Sequence, residues 1–305
     1  FLNDNGSYTG SPLAKAGIVT GCATGDMDGD GDTDLVLASE WGNIKLLLNE
    51  AGKFTDASAV WGLAGFTGMW HGVALADFDG DGKLDIAASN AGRNTAYELY
   101  PKPVRLFYGD ADGDGVMELA EGFADTKTKQ WKPIRKLDVF AKTFPQVRGM
   151  FTRNKAFAAS SLQQIIGPAF REMKSVEIRT LSSAVFLNKT GRFEMRPLPD
   201  AAQFSPAFGL CAGDLDGDGL ADLFLAQNDF SVPERHSRYD SGRGLLLRGD
   251  GTGNFTAMPA SENGIVLHGE QRGVVAADFN DDGQPDLAVS QRGVATGLFL
   301  SRKTN

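Results

Sequence analysis

Residues 21–39 read GCATGDMDGDGDTDLVLAS, and the same unit returns as GVALADFDGDGKLDIAAS (72–89), GLCAGDLDGDGLADLFLA (209–226) and GVVAADFNDDGQPDLAVS (273–290). Each copy has a short apolar lead-in, an acidic turn and a second apolar run of small and branched residues. A glycine (Gly21, Gly72, Gly209, Gly273) stands five residues before the first Asp of each turn. The second apolar run does not alternate and is too short for a helix, so it reads as a strand buried on both faces. An outer hairpin recurs as LLLNEAGKFTD (46–56), VFLNKTGRFEM (185–195) and LLLRGDGTGNFTAM (245–258). Partial copies, FLNDNGSYTG and LFLSRKTN, open and close the chain. Two inner strands and a hairpin make a four-stranded sheet that cannot bury both its faces alone, and radial stacking solves that problem. The predicted fold is all-β, a β-propeller of four-stranded blades with a small helical insertion.

The turns follow D-x-[DN]-x-D-G-x-x-D, with oxygen-bearing side chains at positions 1, 3, 5 and 9. These are Asp26, Asp28, Asp30 and Asp34; Asp77, Asp79, Asp81 and Asp85; Asp214, Asp216, Asp218 and Asp222; and Asp278, Asn280, Asp282 and Asp286. Alternate spacing lets a tight turn aim successive oxygens at one centre. Glycine at position 6 permits the bend, and the backbone carbonyl at position 7 (Asp32, Lys83, Leu220, Gln284) adds a donor. All donors are hard oxygens with no His or Cys, which selects Ca²⁺ over Zn²⁺ or Cu²⁺. A fifth loop, with Asp110, Asp112, Asp114, the Val116 carbonyl, Glu118 and Glu121, matches a twelve-residue EF-hand loop. Its lead-in, Val104–Tyr108, reads as a strand, so the loop is expected on a blade, with either Glu118 or Glu121 closing it. The expected cofactor is Ca²⁺, four to five ions.

The 305 residues hold 30 Lys and Arg against 39 Asp and Glu, a net charge of −9, and 42% apolar residues, enough for a sizeable core. The acidic balance argues against general nucleic-acid binding, and because more than half of the acidic residues lie in the five loops, much of the acidity reads as metal-ligand charge. No run approaches the ~18 apolar residues of a membrane helix. The chain begins at Phe1, which reads as a processed or incomplete form of a longer protein. Cys22 and Cys211 cannot form a disulfide framework and are expected as small core residues.

Residues 126–180 break the repeat, with twelve basic residues against three acidic. Ile134, Leu137, Phe140 and Phe144 are spaced helically, and Ser161 with Gln164 spells a capping box. Two or three short helices are expected, either as a cationic cap on an acidic body or as a docking surface for an anionic partner. The organisation is therefore one domain: blades in 1–125, a basic helical insertion in 126–180, and further blades in 181–305.

The acidic repeats resemble the FG-GAP/VCBS repeats of integrin-α-like propellers. Gly92-Arg93-Asn94-Thr95, LFYGDADGDG, LPDAAQFSPAFG and Gly269–Gly273 are similar to bacterial secreted proteins found beside an ASPIC/UnbV domain. The resemblance covers nearly the whole chain. It implies a propeller, often of seven blades, with Ca²⁺ in the loops joining inner strands. It assigns no activity.

The residues before the repeat glycines, Thr20, His71, Phe208 and Arg272, are expected at equivalent places near one rim of the central channel. Candidate ligand contacts are Trp70, placed to stack on a sugar ring, with His71 and Arg272. The long polar loop 228–243 adds Arg235, His236 and Tyr239. No GxSxG, Walker loop or HExxH is present. The reading is a calcium-stabilised extracytoplasmic binding or assembly module, at the cell surface, outside the cell or in the periplasm. Its partners would be protein subunits or a surface glycan, within a larger assembly. The competing reading is a calcium-dependent polysaccharide lyase or hydrolase acting at that rim.

Overall fold

The computed structural model describes residues 2–4, 7–9, 16–232 and 237–301, the first two stretches by backbone only. A short hairpin, β1 (Leu2–Asp4) and β2 (Ser7–Thr9), comes first. The first blade sheet follows: β3 (Ile18–Gly25), β4 (Asp34–Gly42), β5 (Lys45–Glu50) and β6 (Lys53–Asp56), antiparallel and in chain order, with β7 (Gly68–Met69) also paired to β4. The second sheet begins with β8 (Gly72–Ala76) and β9 (Asp85–Ser89).

The chain then leaves that sheet. It builds β10 (Val104–Gly109), β11 (Glu118–Ala124) and β12 (Trp131–Pro133). Four short helices follow, α1 (Leu137–Thr143), α2 (Val147–Met150), α3 (Asn154–Ala159) and α4 (Leu162–Ile166), and then β13 (Lys174–Ile178). These strands form a separate four-stranded sheet in the order β12-β11-β10-β13. Only then does the chain return with β14 (Ala184–Asn188) and β15 (Phe193–Pro197), which complete the second sheet as β15-β14-β9-β8. The interruption is thus longer than the basic stretch 126–180. It runs through 90–183, and part of the basic stretch is strand, because β12 and β13 flank the β10–β11 hairpin on both sides.

A third sheet holds β16 (Ala207–Gly213), β17 (Asp222–Gln227), β18 (Leu245–Gly249) and β19 (Phe255–Ala257). After α5 (Ala260–Asn263), a fourth holds β20 (Glu270–Ala277), β21 (Asp286–Arg292) and β22 (Gly297–Phe299). The architecture is mostly β, antiparallel and propeller-like.

The glycine before each acidic turn explains how the sheets meet. A Cβ at Gly21 would lie 2.8 Å from the His71 carbonyl, one at Gly72 2.8 Å from that of Phe208, and one at Gly209 2.8 Å from Gly273 Cα. Inner strands of successive sheets therefore touch backbone to backbone, and only glycine leaves room. Among the described residues Gly273 meets no further strand; a Cβ there would find only Ser290 Oγ of its own sheet, at 3.1 Å. Position 2 of each turn supplies a matching anchor. Met27, Phe78 and Leu215 bury between their own sheet and the next, Phe78 with its ring 5.4 Å from Phe255. Phe279, the same position in the last sheet, is exposed. Cys22 is exposed too and Cys211 half-buried, so neither is the core residue expected; β3 has no described sheet on its outer side to cover Cys22.

The helices bury Phe140, Phe144, Val147, Phe157, Leu162 and Ile165 against Phe107 and Ala120 of the inserted sheet. Ser161 and Gln164 form the capping box, each side chain accepting the other's backbone N–H.

The glycine contacts generate a prediction. Gly72→Ala should cost about 1–3 kcal/mol by overpacking, whereas Gly273→Ala should cost less than about 0.5 kcal/mol, since the neighbouring hydroxyl can rotate away. Urea denaturation of the two variants checks this; equal costs would remove the backbone contact as the reason for the repeat glycine.

Candidate metal centre

Each acidic loop joins the two inner strands of a sheet, and its own side chains hold its shape. The first Asp accepts backbone N–H groups across the turn: Asp26 from Gly29 and Gly31, Asp77 from Gly80 and Gly82, Asp110 from Gly113 and Gly115, Asp214 from Gly217 and Gly219, and Asp278 from Asp282 and Gly283. Position 5 accepts from position 7: Asp30 from Asp32, Asp81 from Lys83, Asp114 from Val116, Asp218 from Leu220 and Asp282 from Gln284. The glycine at position 6 has φ between 80° and 94° in all five loops, a region closed to most side chains.

Position 9 is the structural tie. Asp34, Asp85, Asp222 and Asp286 are at most 1% exposed. One oxygen of each accepts the N–H of loop position 2: Met27 at 2.8 Å, Phe78 at 2.9 Å, Leu215 at 3.1 Å and Phe279 at 2.9 Å. The other accepts from the end of the outer hairpin's first strand: Asn49 at 2.8 Å, Asn188 at 2.7 Å, Gly249 at 2.9 Å and, just past β22, Ser301 at 2.7 Å. One carboxylate thereby fixes turn, inner strand and hairpin together.

Three carboxylates converge in four of the loops, with one oxygen of each within 4.8 Å of the others: Asp26, Asp28 and Asp34; Asp77, Asp79 and Asp85; Asp110, Asp112 and Glu118; Asp214, Asp216 and Asp218. In the last loop Asn280 replaces one acid, and its amide donates to Asp282. Burial, reinforced by the neighbouring charges, pushes Asp85 and Asp222 up to about 6 and raises Asp28 as well. The ammonium of Lys83 holds Asp81 below the usual carboxylate range, and a backbone N–H from Gly283 does the same for Asp278.

The donor set fits a divalent ion at the second loop. The Asp79 side chain is 7% exposed, and its Oδ1 is buried without a hydrogen-bond partner among the described residues, beside Asp77 and Asp85. Its Oδ2 pairs with Lys189, as Asp216 pairs with Arg248 in the third repeat. Lys189 balances one of the three charges, but a buried carboxylate oxygen left without a hydrogen-bond partner is costly, and a bound cation would satisfy it.

The fifth loop lies on the inserted β10–β11 hairpin and not on a blade of the repeating series. Glu118 occupies the position-9 place, buried and accepting the Ala111 N–H at 2.6 Å. Glu121 is excluded from the cluster, because its carboxylate is held by Arg135 and by the Tyr97 hydroxyl at 2.8 Å. Asn188 was not legible as a site-building residue. Its amide reaches the carbonyls of Met27 in the first loop, at 2.9 Å, and Leu84 in the second, tying one acidic loop to the next sheet.

The residues before the repeat glycines lie close together across neighbouring inner strands. Thr20 Oγ1 donates to the Trp70 carbonyl at 2.7 Å, His71 packs 4.8 Å from the Phe208 ring, and the Arg272 guanidinium lies 3.9 Å over the same ring. Trp70 cannot stack on a ligand. It is fully buried, its indole N–H donates to the Phe66 carbonyl, and its ring packs on Phe186. Arg272 is engaged by Glu270 and Asp229, and His71 Nδ1 lies 3.4 Å from Glu40 Oε1. The His71 imidazole beside it, acting as a hydrogen-bonding neighbour, holds the Glu40 carboxyl below its ordinary range. Tyr239 bridges to Asp229 through its backbone, and its hydroxyl is 3.3 Å from Thr95 Oγ1. Arg235 and His236 lie outside the described residues.

The position-9 tie predicts that Asp85→Ala costs about 2–4 kcal/mol, because two buried N–H groups lose their acceptor. Asp200→Ala, at an exposed carboxylate, should stay within about 0.5 kcal/mol. Chemical denaturation in chelator compares them; similar costs would contradict the tie.

The family model for the FG-GAP-like repeat matches residues 26–88. Cartilage acidic protein 1 of Xenopus tropicalis is 21% identical over 93% of this chain, and that of Mus musculus 23% identical over 92%. The chain spans 42% and 41% of the length of these two relatives. Among solved structures, the V. cholerae biofilm matrix protein Bap1 aligns with 88% of this chain and 59% of its own, at 10% identity and a TM-score of 0.25, too distant a likeness to bear on the fold. No helix among the described residues is long and apolar enough to cross a membrane. The sequence match and the loop geometry lead to one conclusion: residues 26–88 are similar to the FG-GAP-like repeat, and the loop geometry of that segment returns at 110–118, 214–222 and 278–286.

Proposed function

We propose that the chain is a calcium-stabilised extracytoplasmic module that binds or assembles with protein or glycan partners. The observation that carries the reading is the buried, unpartnered Oδ1 of Asp79 among converging carboxylates, in a loop whose geometry recurs through the chain. Positions 1, 3, 5 and 9 of each blade loop would hold the ion, with the carbonyl at position 7: Asp32, Lys83, Leu220 and Gln284. In the inserted sheet, Asp110, Asp112, Asp114, Glu118 and the Val116 carbonyl would do so. Bound Ca²⁺ supplies charge that cancels the repulsion of these carboxylates. The protein's own part is to fix the loops through the position-9 ties and thereby keep neighbouring strands in register. Lys189 and Arg248 stand as internal counter-charges at two of the loops.

Weak oxygen sites of this kind suit the millimolar calcium outside the cytosol, which supports the localisation. The open seat at Gly273 and the exposed Phe279 support a further sheet against the last one, and hence propeller closure. The rim supports binding over catalysis, since Arg272 is already neutralised by Glu270 and Asp229.

Thermal unfolding tests the calcium reading. One site held at 100 times its Kd adds about 2.7 kcal/mol, so several sites should raise Tm by at least about 5 °C in 10 mM Ca²⁺ relative to chelator. Mg²⁺ at the same concentration should do less. A Tm unaffected by calcium would contradict the proposal.

A further inference from the structure

We propose that the hollow between the first and second blade sheets is a binding site for one anionic sugar residue, a uronate, with Arg192 as its carboxylate ligand. The inference rests on the binding-module reading above and gives it a ligand class. The hollow has a volume of about 430 Å³ and is lined by Phe66, Lys189, Arg192, Phe193, Glu194 and Met195. That volume lies within the usual range for small-ligand sites.

Its floor is apolar and rigid. Phe193 is 4% exposed with its ring 5.5 Å from Trp61, and Phe66 meets Phe186 edge-on at 5.5 Å. Phe193 backs the floor from within the core, and the half-buried Phe66 and Met195 offer aromatic and thioether surface to the C–H face of a sugar ring.

The rim supplies the charge. Lys189 is spent on Asp79, and Glu194 is spent on Arg196 at 3.1 Å. Arg192 makes no ion pair among the described residues. Its backbone is nonetheless fixed, because its carbonyl accepts the Lys189 N–H at 2.7 Å across the β14–β15 turn. An unpaired guanidinium on a rigid turn above an apolar floor presents a planar fork that matches a carboxylate. The combination of stacking surface and single fork fits a ring bearing one carboxylate.

An extended acidic peptide fits less well. It would add to the β15 edge, but there the Phe193 N–H already donates to the Trp61 carbonyl at 3.0 Å.

Calorimetric titration in calcium tests the site with three probes: a glucuronate-containing disaccharide, its neutral glucose counterpart and an acidic peptide. The uronate should bind, with the neutral sugar and the peptide at least about tenfold weaker. Arg192→Ala should weaken the uronate at least about tenfold with Tm unchanged, and Phe66→Ala should weaken both sugars. Absence of uronate binding, equal affinity for the neutral sugar, a tighter peptide, or full affinity in Arg192→Ala would each overturn the proposal. A protein that gains stability from calcium yet ignores the uronate defeats the hollow alone. One that binds the uronate without gaining stability from calcium defeats the calcium reading alone.

Discussion

A buried carboxylate with two backbone N–H partners recurs at the ninth position of every blade loop, and the blades depend on it. Burying such a group is unfavourable unless its oxygens are satisfied. Here one oxygen binds the start of the loop and the other the far end of the next strand, so the cost is met only when turn, inner strand and hairpin are in register together. The same arrangement drives acidic side chains to within 4.8 Å of one another. At an effective dielectric of about 20, each such pair repels by roughly 3 kcal/mol. Burial first, and the neighbouring acids after it, raise Asp85 and Asp222 to about 6. A hard divalent cation held by the same oxygens would relieve that repulsion.

Sheet stacking follows from the sequence on either side of that loop. Five residues before it, glycine lets one inner strand rest on the next. One residue into it, an apolar anchor such as Phe78 enters the space between sheets. Asn188 adds a polar link, reaching from the second sheet to the Met27 carbonyl in the first loop. Sheet contact and loop shape are therefore coupled, and disturbing one acidic loop loosens two neighbouring sheets.

The parts legible in the sequence were the local ones. Spacing within DMDGDGDTD specifies a turn and its converging oxygens without reference to the rest of the chain, and a capping box at Ser161 is likewise a matter of four residues. What escaped was long-range. The hairpin 185–195 looks adjacent in sequence to the repeat at 209, yet it completes the sheet begun at 72, because Phe186 pairs with Ile86 across the whole insertion. Trp70 reads as an exposed aromatic beside a His, and only the packing of Phe186 and the Phe66 carbonyl shows it buried. Both Glu118 and Glu121 satisfy an EF-hand pattern; the distinction came from Arg135, fourteen residues downstream, which holds Glu121. The position-2 residues carried a signal in retrospect, an apolar residue between the first two oxygen-bearing side chains of every blade loop.

The most direct measurement is long-wavelength anomalous diffraction from crystals grown in millimolar calcium. The account predicts a peak at each blade loop and one between Asp110, Asp112 and Glu118, with the carboxylate of Glu121 remaining on Arg135. Ordered loops without anomalous peaks would contradict it.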